Sequence, residues 1–527
     1  MNSEQKYSVG HSQVKQLLNY VESGEIAIPE IQRPFVWDAA KVRDLIDSLY
    51  SGFPVGYIVT WQNPDVKLKD GSKATGKKIL IDGQQRITAL TAAILGHTVK
   101  NTDFEDIRIQ IAFNPLEKRF EVFNAAIAKD NRWIKDISPF LKGDIDPFEL
   151  RDNYLEFNPA FDRKKLNKIL GELGNIIHKE IGIIHLDGNL DIDSVTEIFI
   201  RINSKGVVLN QADFVMSKIA ANESYGGNML RKCIDHFSHL ALRPEFFGKL
   251  KENDKEFVNT EYFSAISWLK NENDAIYDPT YVDILRVAFT YKFSRGKLGD
   301  LVSLLSGRNF ETRNFEQEIV ENTYKSLHDG IMAFINETNF KRYLMIVRSA
   351  GFCHEKLLRS QNVLNFGYII FLKLRSISYP PEKIEKLVRR WLAMSLLARR
   401  YGGNLEGQFD YDIRQFESKN PEDYLNDIET ARLSDLFWDV ELPQNLETSY
   451  STSPEFNLFL ASQCKMNARG FLSTDITVKD LVEQHGDVHH IFPKQYLKEN
   501  GLSRGMYNQV ANYVYVQSEI TDLLNFY

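Results

Sequence analysis

Cysteine is scarce: the 527 residues hold three, Cys233, Cys353 and Cys464, far apart and without a Cys-x-x-Cys spacing. That argues against a disulfide framework and against a thiolate zinc site, and it fits a reducing cytoplasm. Long apolar runs are lacking as well. The longest, such as Trp391 to Ala398, fall well short of the roughly 20 residues a membrane-spanning helix needs. The opening MNSEQKYSVGHSQVKQLL has no basic stretch leading into an apolar core, so neither a signal peptide nor a membrane partner is expected. Positive charge is also in short supply, with 64 Lys and Arg against 71 Asp and Glu for a net −7. Phosphate contacts need clustered cations, so any nucleic-acid surface has to be locally basic within an acidic whole. What the chain does have is ordinary core material, 43% apolar and 12% aromatic, in a length that suits about three to four domain-sized units.

The order of elements changes along the chain. Tyr57–Trp61, Lys78–Ile81, Ile107–Phe113 and Ile181–Leu186 read as strands, with helical apolar spacing over Ala40–Tyr50 and Ile87–Leu95. This mixture predicts an α/β or α+β domain over residues 1–220. Strand signals then fade. Ile284–Phe293, Leu298–Leu305, Phe315–Phe334 and Glu382–Tyr401 carry apolar residues at three- and four-residue intervals, which predicts a helical middle domain over 221–440. Near 440 the polar ELPQNLETSYSTSPEF, with two prolines, reads as a linker or long surface loop, followed by a compact C-terminal piece over 441–527. The expected fold class is α+β and multidomain.

The most specific segment is Gly486-Asp487-Val488-His489-His490-Ile491-Phe492-Pro493-Lys494. Adjacent histidines before an apolar residue and a proline suggest a short strand ending in a turn. Neighbouring side chains of a strand point to opposite faces, so one imidazole can bind a metal while the other faces a reaction centre. Phosphodiester hydrolysis needs a base to activate water and a cation to neutralise phosphate charge, and histidine is suited to the first task. A solvated or core-satisfied His pair is the plain alternative. With Asn508 and the segment Val510-Ala511-Asn512-Tyr513-Val514-Tyr515-Val516, HHIFPKQYL resembles the HNH (His-Me finger) nucleases over about residues 480–527. The resemblance implies a ββα-metal module in which His489 is a metal ligand, His490 the general base and Asn512 the residue that orients it, with Asn508 as the alternative. It also implies Mg²⁺ or Mn²⁺. The family's second ligand falls at Thr521, whose neutral hydroxyl is a weak donor; Asp522 or Asn525 are the substitutes at hand, in a chain that stops at Tyr527.

A second constellation lies near the N-terminus. In Leu80-Ile81-Asp82-Gly83-Gln84-Gln85-Arg86-Ile87 a strand runs through Asp-Gly into a helix start, a natural phosphate site. Gly83 allows close backbone approach, Arg86 could fork onto a phosphate, and Asp82 could hold a cation or activate water. The plain reading is an Asp-Gly turn with Arg86 paired to Asp82. Together with IPEIQRPFVW at 28–37 and FIRINSKG at 199–206, this motif resembles the ParB/sulfiredoxin-like N-terminal domain of GmrSD-type modification-dependent restriction systems. Glu441–Asn445 and Ser453-Pro454 resemble the same family further along. The resemblance implies a sensor that hydrolyses GTP or ATP, coupled to a nuclease that cuts modified, double-stranded phage DNA. Asp82, Gly83, Gln84, Gln85 and Arg86 would line the nucleotide site, with Gln32, Arg33, Asn203 and Lys205 nearby; ParB-like folds also bind DNA through such loops.

Weaker signals remain. Lys383, Lys386, Arg389, Arg390, Arg399 and Arg400 flank Trp391, which reads as a solvated helix face over a buried tryptophan, or as a DNA-backbone track. Trp61, Tyr513 and Tyr515 read as core or cross-strand residues, and His485 as a surface residue. The leading expectation is a cytoplasmic, NTP-regulated restriction endonuclease, with homo-oligomerisation left open. The rival from another class is a nucleotide-switched DNA sensor with an inactive HNH module, and a third reading makes the N-terminal domain a DNA clamp.

Overall fold

The computed structural model describes residues 6–27, 37–61, 78–100, 106–188, 190, 194–195, 198, 211–272, 274–484 and 486–517. They fall into two compact units, Met1–Asn210 and Gln211–Tyr527. Gln32, Arg33, Asn203, Lys205, His485, Thr521, Asp522 and Asn525 lie outside the described residues.

The first unit is built on a five-stranded sheet of order β1-β9-β3-β4-β2. Its strands are β1 (Tyr7–Gln13), β2 (Ile26–Ala27), β3 (Tyr57–Trp61), β4 (Lys78–Asp82) and β9 (Glu180–Leu186). β9 runs antiparallel to β1 and parallel to β3, and β3 runs antiparallel to β4 with a register shift between Val59 and Thr60. Ile58, Leu80, Ile181 and Ile183 share one core with Leu17 and Leu18 of α1 (Val14–Glu22) and with Val42, Leu45, Ile46 and Leu49 of α2 (Ala39–Ser51). The spacing of those four in α2 is the stripe a helix needs to bury one face. α2 starts where Asp38 accepts the N–H of Lys41 at 2.7 Å and stops at the left-handed Gly52.

Two sequence expectations are revised here. Ile107–Phe113 is not one strand: β6 (Asp106–Arg108) pairs with β5 (Thr98–Lys100), while β7 (Ile111–Asn114) pairs with β8 (Arg119–Val122). Arg108 sits at the break, donating to the carbonyls of Ala92 at 2.8 Å and Ile109 at 2.7 Å, and so occupies an oxygen at the junction of the two ladders. The helix expected at Ile87–Leu95 starts earlier, as α3 (Gln84–Leu90), and continues as a π-helical turn over Thr91–Leu95.

The second unit is mainly helical. Helices at Tyr281–Phe293, Leu298–Leu305, Gln317–Ile335 and Pro381–Leu397 match the expected spacing. The first and last of these pack on Gln361–Ser376, whose residues from Val363 to Leu372 are all buried. The polar stretch after 440 is not a continuous loop. Leu442–Leu446 and Pro454–Lys465 are helices, because Phe456, Leu460 and Cys464 repeat every fourth residue and bury in the core. The same core takes in Val478, Val482, Val510 and Tyr513, so the C-terminal hairpin is packed onto the helical body. All three cysteines are buried and free.

The cations expected on one helix are divided, since Pro381–Leu397 carries Lys383, Lys386, Arg389 and Arg390 while Arg399 and Arg400 lie beyond its end. Lys383 pairs with Glu422 at 3.3 Å and Arg389 with Glu385 at 2.8 Å, while Arg390 pairs with Glu429 and Arg400 with Asp412. Trp391 is fully buried against Phe366, with ring centroids 5.3 Å apart. Cations neutralised by internal carboxylates have little left for phosphates. Among the described residues no helix is long and apolar enough to cross a membrane.

Candidate active site

The two histidines lie on β10 (Asp487–His490), which pairs antiparallel with β11 (Tyr513–Val516), His489 opposite Val514 and His490 opposite Tyr513. The strand ends before Pro493, which precedes the helix Lys494–Glu499, the strand-and-turn expected from HHIFPK. Both imidazoles are half-buried. His489 Nδ1 lies 3.1 Å from the carbonyl oxygen of His490. A carbonyl can only accept, so Nδ1 carries the proton and Nε2 keeps its lone pair, the tautomer a metal ligand requires.

His490 is held differently. Its Nε2 donates to Asn508 Oδ1 at 3.2 Å, and the Tyr513 hydroxyl donates to the same oxygen at 3.2 Å. The Tyr513 hydroxyl lies equally 3.2 Å from the Ser449 carbonyl, so its single proton is divided between the two oxygens, and its ring stands edge-on to His490 with centroids 5.0 Å apart. With Nε2 protonated, Nδ1 is the basic nitrogen. Burial pushes the His490 pKa below its usual 6.5; Lys494 and His489 press the same way, and the bond to Asn508 opposes them. The ring is therefore neutral and able to take a proton near neutral pH.

The direct contact falls to Asn508, where the sequence favoured Asn512. Asn512 fixes the backbone instead: its Oδ1 accepts the Phe492 N–H at 2.8 Å, and its Nδ2 donates to the carbonyls of Phe492 and Tyr507 at 3.1 Å each. Its own carbonyl accepts the Ile491 N–H at 2.8 Å. Asn512 thus clamps the backbone that follows His490, while Asn508 contacts its ring. Tyr513, read as a cross-strand residue, joins the site through its hydroxyl, which the Tyr-Val-Tyr alternation alone does not reveal.

Among the described residues no group of three or more His, Cys, Asp and Glu is placed to hold a metal ion. The donor present there is His489, with Nε2 open.

In the first unit β4 ends at Asp82, and Gly83 takes a left-handed conformation, φ +97°, before α3 begins. The left-handed backbone favours glycine there, and a Cβ at Gly83 would have to push Ile58 Cδ1 aside. Arg86 donates to the Tyr57 carbonyl and lies 3.7 Å from Asp82. Asp82, Gly83, Gln84, Gln85 and Arg86 are brought to one turn, and within it the Asp82–Arg86 pair of the plain reading is present.

Over its length the chain is similar to an uncharacterized protein of Methanocaldococcus jannaschii, with 22% identity across 94% of this chain and 82% of that one. Residues 14–220, from α1 past β9 and including the Asp82–Arg86 turn, match the family model of the GmrSD restriction endonuclease N-terminal domain.

Proposed function

We propose that the chain is a type IV-like, modification-dependent restriction endonuclease that hydrolyses phosphodiester bonds of foreign double-stranded DNA at its C-terminal HNH hairpin, under control of GTP or ATP bound by the N-terminal unit. The observation that carries the nuclease reading is the pair of opposite tautomers on one hairpin: His489 with Nε2 open, His490 with Nε2 tied to Asn508 and Nδ1 open. One imidazole is prepared to bind a cation and its neighbour to accept a proton.

His490 Nδ1 takes a proton from water as the water oxygen bonds to phosphorus and the P–O bond to the leaving strand breaks. Asn508 keeps the ring in the tautomer and orientation that step requires, and Asn512 keeps the following backbone in register. His489, with a second ligand from the segment around Thr521, would hold Mg²⁺ or Mn²⁺, which would neutralise the charge growing on the scissile phosphate. In the N-terminal unit, Gly83 and the start of α3 would meet a nucleotide phosphate. The contacts of Arg86 with Asp82 and the Tyr57 carbonyl support a role in shaping that turn.

The test is cleavage of modified and unmodified phage DNA by the purified full chain, with and without GTP or ATP, in Mg²⁺ and in Mn²⁺. Modified DNA should be cut, faster with nucleotide, and His490→Ala should lower the rate about 10²–10⁴-fold. A His490→Ala protein that cuts as fast as its parent removes the assignment. Nucleotide turnover and DNA binding without cleavage in either metal would favour the inactive-sensor reading.

A further inference from the structure

A buried cysteine ordinarily serves as a small apolar filler, and Cys233 does so: it is fully enclosed, and burial pushes its thiol pKa up. Cys353 and Cys464 are placed otherwise. Each keeps 6% of its surface exposed, and their side chains, about 110 residues apart in sequence, share a hydrogen bond.

The backbone holds the two together. Gly351 has a left-handed φ of +103°, and a Cβ there would collide with the Ala461 carbonyl oxygen and lie 3.2 Å from Lys465 Cβ. The turn that follows the helix Glu337–Ser349 therefore rests directly on the helix Pro454–Lys465. Cys353 closes that turn, its N–H donating to the Gly351 carbonyl at 2.9 Å, and Cys464 lies one helical turn beyond Ala461. A disulfide needs Cβ atoms within about 4.5 Å of each other, a spacing that backbones in contact allow. Lys479 and Glu483 face the pair with opposite charges. Tyr515 of β11 stands beside Cys464, so the pair adjoins the hairpin of the candidate active site. The hydrogen bond from Cys464 favours the Cys353 thiolate and holds its pKa below the ordinary thiol value, while that bond and burial push Cys464 up. Cys353 is thus the attacking sulfur and Cys464 the resolving one.

We propose that Cys353 and Cys464 form a redox-active dithiol, which a hydroperoxide converts to a disulfide and a small thiol restores. The Cys353 thiolate attacks the peroxide, and an S–O bond forms as the O–O bond breaks; the departing oxygen takes a proton. The Cys464 sulfur then attacks that of Cys353. The S–S bond forms as the S–O bond breaks, and the released hydroxide leaves as water with the Cys464 proton. The peroxide gains the two electrons that the thiols lose. The disulfide ties the helix Pro454–Lys465 to the turn at Gly351 and closes a loop of about 110 residues.

The reduced full chain is treated with hydrogen peroxide under native conditions, then unfolded, alkylated and weighed, intact and as peptides. The parent should lose two hydrogens, yield a linked Cys353–Cys464 peptide and keep Cys233 open to alkylation; dithiothreitol should restore the mass. The oxidised chain should melt about 5–10 °C higher, because the cross-link removes entropy from the unfolded chain. Cys464→Ser should stop at a sulfenic acid on Cys353 that dimedone traps, and Cys353→Ser should leave Cys464 at least about tenfold slower to oxidise. A parent that stays reduced, accumulates sulfenic acid without the linked peptide, joins chain to chain, or oxidises Cys233 as fast as the pair overturns the proposal. So does a linked peptide that forms only in urea.

Discussion

Asn508 offers the sharpest test, because two substitutions there should move His490 in opposite directions. Burial, Lys494 and His489 all lower the His490 pKa, and the hydrogen bond to Asn508 raises it. Asn508→Ala removes the one opposing influence, so the pKa should fall further below the usual 6.5. Asn508→Asp places a carboxylate about where the amide oxygen lies, 3.2 Å from Nε2. Opposite charges near 4 Å attract by about 4 kcal/mol at an effective dielectric of about 20. His490 is half open to water, so about 1.5 kcal/mol is the appropriate figure after solvent screening, and that is about one pH unit. In the proposed mechanism the neutral ring is the working form, so activity should disappear as pH falls through the folded-state pKa. The acid limb of kcat/KM should therefore move to lower pH in Asn508→Ala and about one unit higher in Asn508→Asp. Histidine NMR without metal reads the same shifts independently of turnover, with His490→Gln assigning the signal. The alanine variant should also lose about 10–100-fold in plateau rate from poorer ring orientation. Limbs that move the same way in both variants, or that stay put, would refute the claim that Asn508 holds the base.

Asn512→Ala removes three side-chain hydrogen bonds to the backbone at Phe492 and Tyr507, at a cost of about 2–3 kcal/mol in urea unfolding. The His490 signal should stay in place, and a shift as large as that from Asn508→Ala would restore Asn512 as the orienting residue. Gly83→Ala combines a φ of +97° with a collision at Ile58 Cδ1 and should destabilise the first unit by about 2–4 kcal/mol. Ile58→Val removes the colliding carbon, so the double variant should recover at least about 1 kcal/mol over the sum of the singles; strict additivity would contradict the steric account. Asp412 is fully buried and accepts from Arg400, Tyr401, Tyr424 and Gln408, so Asp412→Ala should cost about 3–5 kcal/mol in thermal or urea unfolding, and a loss under 1 kcal/mol would show that Arg400 finds another partner.

Strands β3, β4 and β9 were legible because each is an apolar run closed by turn residues. β1 was not. Its sequence, YSVGHSQ, is mostly polar, and as an edge strand it buries only Ser12; its place is set by pairing with β9, more than 160 residues away, which no local pattern encodes. The strand of His489 and His490 was legible for the opposite reason, since the turn that ends it at Pro493 is local chemistry. The choice between Asn508 and Asn512 was beyond reach. A short helix ends at Tyr507, and a 3₁₀ turn at Val510–Asn512 redirects the chain before β11, so spacing from the base does not say which amide meets the ring.

The same limit governs charged residues, in both directions. Arg86 has the look of a phosphate fork in the sequence, yet in the fold it is engaged by the Tyr57 carbonyl and Asp82. The cations around Trp391 suggest a DNA track, yet carboxylates from elsewhere in the unit neutralise them. Glu455 sits in a helix start where an acid is expected for the helix dipole alone, yet it keeps a buried oxygen without a hydrogen-bond partner among the described residues. What makes a polar residue a candidate for function is the bonding capacity left after folding. Partners distant in sequence determine that remainder, so it is set by the fold and cannot be read from a motif.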